Sequence, residues 1–155
     1  MQKILITQSN TVQAQRIARL IRENYTPVLG SAEELPAFLQ ERFVQIPSAS
    51  DSAFAHRLLA FCLDQQIQLV LPLDRDEILQ LSATSLLFEE YGIQICCPEA
   101  KQLSGLEYAV RPGNADEICL RIHGRLIVGE SEGAPKEEGV FVRSDAVPYY
   151  RLLVV

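Results

Sequence analysis

Hydrophobic positions change period several times along the first two-thirds of the chain, and each change marks an element. Gln2 to Thr7 is a short apolar run rich in Ile and Leu, as in a strand buried on both faces. Ala14, Ile17, Ala18 and Ile21 then recur at helical spacing, with Gln15, Arg16, Arg19 and Arg22 on the other side. Thr26 to Leu29 reads as a second strand ended by Gly30, and Arg42 to Ile46 as a third closed by Pro47. Ser50 is placed to cap a helix whose Phe54, Leu58, Phe61 and Cys62 form one stripe. Ile67 to Leu73 is the most continuous apolar run and is assigned to a central parallel strand, where a charge at Leu69 or Leu71 damages folding before function. Asp74 opens the next helix with Glu77 in a capping-box position, Leu79, Ala83, Leu86 and Leu87 line one face, and Gly92 ends it. Ile93 to Cys96 makes a fifth strand, stopped by Pro98.

This alternation predicts an α/β fold: a doubly wound, mostly parallel five-stranded sheet, Rossmann-like, over residues 1–104. Residues 105–155 read differently, as a small β-rich C-terminal extension. Ile118 to Ile122 and Arg125 to Val128 flank a hairpin turn at His123-Gly124. A polar loop covers Gly129 to Gly139, and Val140 to Arg143 and Tyr149 to Val155 look like two further strands. A helical turn near Glu99 to Leu103 is the one helical feature expected after the fifth strand. The apolar terminal strand is expected to be tied down by pairing, within the fold or across a homodimer.

Composition narrows the function classes. Of 155 residues 48% are apolar and 22% charged, ordinary values for a globular chain that buries about two-thirds of its unfolded surface. A net charge of −6, with basic residues scattered, disfavours a nucleic-acid partner. No segment has the apolar length of a membrane helix, and the opening run lacks a signal-peptide layout. Cys62, Cys96, Cys97 and Cys119 form no CxxC pair and read as reduced thiols of a cytoplasmic protein.

The segments KILIT, AQRIARLIRE, FVQIPSAS, LAFCLDQQIQLVLPLDRDEILQLS and LLFEEYGIQICCP, in that order, resemble the pre-ATP-grasp domain. That domain stands at the front of ATP-grasp proteins related to the carbamoyl phosphate synthetase large subunit. The resemblance spans Met1 to Leu103 and is most specific at Pro72-x-x-x-Asp76-Glu77-Ile78 and Phe88-Glu89-x-x-Gly92-Ile93. It implies a domain that packs against an ATP-grasp fold and helps form the substrate site without itself holding ATP. Catalysis in that family needs a lysine pair and magnesium ligands on a later domain of roughly 150–200 residues. Ser104 to Val155 is too short for it, so the catalytic part is expected to be missing. Lys101-Gln102-Leu103 stands near the place of the Asp-Lys pair that often opens that part. Gly105-Leu106-Glu107-Tyr108-Ala109-Val110 resembles an ATP-grasp Gly-x-Glu-Tyr-x-Val run, which makes the tail a candidate ATP-grasp remnant; Arg111 departs from the acidic residue common there.

Two clusters are candidate ligand contacts. Gln8, Ser9, Asn10 and Thr11 follow the first strand, where a helix N-terminus offers free N–H groups to an anion. The loop has no glycine, which disfavours dinucleotide binding, and the simpler reading is that Ser9, Asn10 or Thr11 caps the helix. Asp74, Asp76 and Glu77 lie beyond the carboxyl end of the central strand, where open α/β sheets take ligands. The resemblance makes them contacts for a substrate amine or a partner's Arg; the alternative is an ordinary acidic first turn. No metal or cofactor is expected: Cys119 and His123 lie ~13 Å apart along one strand, and His56 and His123 belong to no nucleophile motif. The expected function is a non-catalytic module that binds a small molecule or a partner protein, derived from an ATP-grasp ligase. The alternative is the substrate-side subunit of a split carboxylate–amine ligase that works with a separate ATP-binding chain.

Overall fold

The computed structural model describes residues 1–155. Strand β1 (Lys3–Ile6) leads into α1 (Val12–Ile21), β2 (Thr26–Ser31), a single 3-10 turn at Ala37–Leu39, and β3 (Val44–Gln45). Then come α2 (Phe54–Asp64), β4 (Leu69–Leu71), α3 (Arg75–Ala83), α4 (Ser85–Glu90), β5 (Gln94–Ile95) and α5 (Ala100–Leu103). The remainder forms β6 (Tyr108–Val110), β7 (Glu117–Ile122), β8 (Arg125–Val128), β9 (Gly139–Arg143) and β10 (Arg151–Val154).

The fold is α/β. Strands β1 to β5 form one five-stranded sheet, all parallel, in the order β3-β2-β1-β4-β5. Side chains alternate across it, as the pleat requires. Leu5 and Val70 join Phe54 and Leu58 of α2, Ile78 and Leu81 of α3 and Phe88 of α4 in one buried cluster. Ile4, Ile6, Leu69 and Leu71 join Ala14, Ile17, Ala18 and Ile21 of α1 in the other. Helices therefore cover both faces.

A single helix cannot cover the second face alone. The C-terminal strands supply the rest as a mixed sheet in the order β6-β10-β9-β7-β8. Ile118, Leu120, Ile122, Val140, Val142 and Leu153 enter the same cluster as Ile4 and Leu69. The alternate residues Cys119, Phe141, Leu152 and Val154 join the cluster of the α2–α4 face. Residues 105–155 thus form a layer of the core, and each fully buried Leu or Val in it contributes about 1.5–3 kcal/mol.

Several elements differ from the sequence pattern for identifiable reasons. Gly30 lies within β2, where a Cβ would come 2.8 Å from Leu5 Cδ1 and 3.1 Å from Ile46 Cγ2. The glycine permits close approach and does not end the strand. Ala53, not Ser50, precedes α2, and the turn before it is held by the Ala53 N–H to Asp51 Oδ1. The long third helix is two, parted at Thr84. Its buried face carries Ile78, Leu81 and Phe88, while Leu79 and Leu86 are 44% and 73% exposed. The capping box turns Glu77 inward, and this sets the phase of the residues behind it. The His123-Gly124 turn is as expected, with both residues at positive φ (53° and 70°) between antiparallel β7 and β8. The apolar terminal strand is not an edge. β10 pairs with β6 on one side and β9 on the other, so no backbone edge is left for a homodimer through this strand. No helix is long and apolar enough to cross a membrane.

Leu120 is fully buried in the core that both sheets share. Leu120→Ala is expected to cost about 2–5 kcal/mol in guanidinium unfolding. A loss below about 1 kcal/mol would mean that the second sheet is only loosely packed.

Candidate functional site

Strands β1 and β4 are neighbours, but the chain leaves them in opposite directions: β1 leads through α1 to β2, and β4 through α3 to β5. Their carboxyl ends are therefore the topological switch point, where open α/β sheets form a ligand crevice. Thr7 closes β1 here and is fully buried. Its hydroxyl donates to Glu77 Oε1 (2.7 Å) and accepts the Leu73 N–H (2.8 Å). One side chain thus joins the end of β1 to the segment after β4 and to the first turn of α3.

Asp74 caps α3, accepting the N–H groups of Asp76 (3.1 Å) and Glu77 (3.3 Å), while Glu77 Oε1 accepts the Asp74 N–H (3.3 Å). This reciprocal box turns Glu77 into the protein, where it is 1% exposed and its Oε2 meets no hydrogen-bond partner. Burial pushes its carboxyl up to about 7, and the Asp74 charge adds to the rise; the hydroxyl of Thr7, the Asp74 N–H and the Gln8 amide oppose it. A carboxyl poised there can donate or accept a proton near neutral pH.

The structure brings some of the expected residues together and separates others. Gln8 adopts a left-handed bend (φ 52°), uncommon for a residue with a side chain, directly after Thr7, and it makes no hydrogen bond to Glu77 of ordinary geometry. Ser9 is buried and satisfied, its hydroxyl donating to Ile6 O (2.6 Å) and its N–H to Gly30 O (3.0 Å). Thr11 caps α1, accepting the Ala14 N–H (3.3 Å). Asn10 turns outward to Glu33 Oε2 (2.9 Å), and Asp76 is exposed. The convergent set is therefore Thr7, Gln8, Asp74 and Glu77. Thr7 escaped the sequence reading because it looks like the last residue of an apolar strand. The signal for it is a lone hydroxyl at the end of a run opposite the first turn of a later helix.

The C-terminal layer meets this end of the sheet at one backbone hydrogen bond and is tied to α1 by two more hydrogen bonds. The Val155 N–H donates to Leu73 O (2.9 Å), and Gln13 Nε2 and Arg16 Nη1 on α1 donate to Pro112 O (2.9 Å) and Asp116 O (2.5 Å). An open depression of about 550 Å³ lies between the end of β3 and α2, lined by Gln45, Ile46, Asp51, Arg57 and Phe61. All four cysteines are free and buried, with Cys62 and Cys97 thiols pushed up to about 12 by burial. No group of three or more His, Cys, Asp or Glu residues is arranged to hold a metal ion. No protein-family model matches the chain, and no curated protein matches it.

The Glu77 carboxyl makes stability fall with rising pH. Its folded value of about 7 lies above the ordinary 4.5, so the neutral form stabilises the fold below pH 4.5, and that contribution is lost as pH rises through 7. Relative to Glu77→Gln, the wild type is expected to lose on the order of 3 kcal/mol across this window in urea unfolding. Parallel pH profiles for the two proteins would contradict the burial of an ionisable group here.

Proposed function

We propose that the chain is a small-molecule- or partner-binding module of the pre-ATP-grasp kind, and that its ligand engages the carboxyl edge of the parallel sheet between β1 and β4. The observation that carries this reading is the meeting of Thr7, Gln8, Asp74 and Glu77 at the switch point, with one buried carboxylate oxygen left unpartnered. A buried polar atom without a partner costs stability, and functional sites are where such costs are retained. A ligand that offers an N–H or ammonium group to Glu77 would satisfy it. The resemblance of Pro72 to Ile78 to the family's front domain supports the same location. In this reading the isolated chain contributes binding and no chemistry of its own, in the cytoplasm.

A second reading, the substrate-side subunit of a split ATP-grasp carboxylate–amine ligase, draws on the outer face of α3 and α4. Leu79 and Leu86 are exposed there, as a face that packs against a separate ATP-binding chain would be.

The two readings are tested separately. In a thermal-shift screen of small amines and carboxylates, a ligand at 100 times its Kd is expected to add about 2.7 kcal/mol of apparent stability. Glu77→Gln should remove most of that shift for amines; an unchanged shift would place the ligand elsewhere. For the second reading, co-purification should return an ATP-grasp polypeptide without a front domain of its own, and Leu86→Glu should abolish its capture. Capture that survives Leu86→Glu would rule out the α3–α4 face.

A further inference from the structure

The Glu77 carboxyl sits at one end of a chain of hydrogen bonds that reaches the C-terminal sheet: its Oε1 is joined to the chain, and its Oε2 makes no hydrogen bond. Glu77 Oε1 accepts from Thr7, Thr7 accepts from the Leu73 N–H, and Leu73 O accepts from the Val155 N–H that follows β10. Leu73 is itself buried, so the segment between β4 and α3 is held from two sides: by β1 through Thr7 and by β10 through Val155.

We propose that Glu77 is a proton-operated latch: protonated, it holds the β4–α3 segment closed against β1 and β10; ionised, it releases that segment and opens the crevice between β1 and β4. The latch regulates the crevice assigned above to the ligand, and its functional meaning rests on that reading.

The physical argument starts from the surroundings of the carboxyl. From β1 and its loop come only the neutral Thr7 hydroxyl and Gln8 amide; from its own helix comes Asp74, whose charge opposes ionisation. The groups that act on it include no cation. The segment after β4 and the residue after β10 face each other through backbone, the Leu73 carbonyl and the Val155 amide. An ionised Glu77 would hold in this interior an Oε2 that makes no hydrogen bond, a cost that the Thr7 hydroxyl, the Asp74 N–H and the Gln8 amide only partly offset. The nearest relief is water. Arg75 and Asp76 are exposed and Asp74 is half-buried, so a small outward turn at the start of α3 hydrates the carboxylate. The same turn breaks the Thr7–Glu77 bond and, through Leu73, frees the Val155 amide. The closed crevice seen here is then the protonated state.

Hydrogen exchange on the full chain without ligand tests the latch independently of any binding. Between about pH 5.5 and about pH 8, after correction for intrinsic rates, protection of the segments 73–78 and 151–155 is expected to fall by roughly tenfold or more in the wild type. In Glu77→Gln it should stay level. Equal loss in the variant, no loss in the wild type, or loss spread evenly over both sheets would overturn the proposal. If Glu77→Gln does not fold, the infrared band of a protonated carboxyl in the wild type gives a second reading. Its disappearance should follow the same pH course as the loss of protection, and a different course would overturn the latch. Because no ligand is present, failure of the screen described above leaves this result intact, and failure here leaves ligand binding open to direct measurement.

Discussion

A parallel sheet must be covered on both faces, and that constraint shapes the whole molecule. Ile4, Ile6, Leu69 and Leu71 point to one side of the sheet and Leu5 and Val70 to the other, and all are removed from water. On the second side α2, α3 and α4 do the covering. On the first, α1 presents Ala14, Ile17, Ala18 and Ile21, too narrow a stripe for a five-stranded sheet. The C-terminal sheet completes that side, and it can do so because β7, β9 and β10 carry large apolar side chains at alternate positions.

The same arrangement creates the polar site. Where β1 and β4 end, the backbone has donors and acceptors left over, and the covering layer keeps water from them. Thr7 suits this position because one hydroxyl both donates and accepts. It satisfies the Leu73 amide and in turn binds Glu77. Glu77 is brought there by the capping box with Asp74, an ordinary way to begin a helix that here carries a carboxyl into the interior. A local rule of helix initiation and a global rule of sheet coverage therefore meet at one side chain, and its raised proton affinity is the consequence.

The parallel core and its helices were legible because their signals are local. The Ala14–Ile21 stripe, the apolar run before Pro72, the Asp74–Glu77 spacing and Gly92, which ends α4 at φ 77°, each follow from neighbours within a few residues. The features that were not legible depend on distant partners. Leu79 and Leu86 have a helical spacing that suits burial, but Thr84 breaks the helix and Glu77 sets the phase, so they face solvent. β6 was missed because Tyr108 to Val110 has no alternation of its own and is a strand only beside β10. Of the site residues, Asp74 and Glu77 were visible as a cap, Ser9 and Thr11 proved to serve the backbone, and Thr7 emerged only when β1 and β4 stood side by side.

Each of the two buried clusters draws side chains from both sheets, so the sheets are expected to unfold together. Native-state hydrogen exchange of the amides in β4 and in β9 tests this most directly. The account expects Val70 and Leu71 to exchange with the same free energy as Phe141 and Val142, through one global opening. Exchange of β9 at a free energy several kcal/mol lower, with β4 still protected, would contradict it and make the C-terminal sheet an independent appendage.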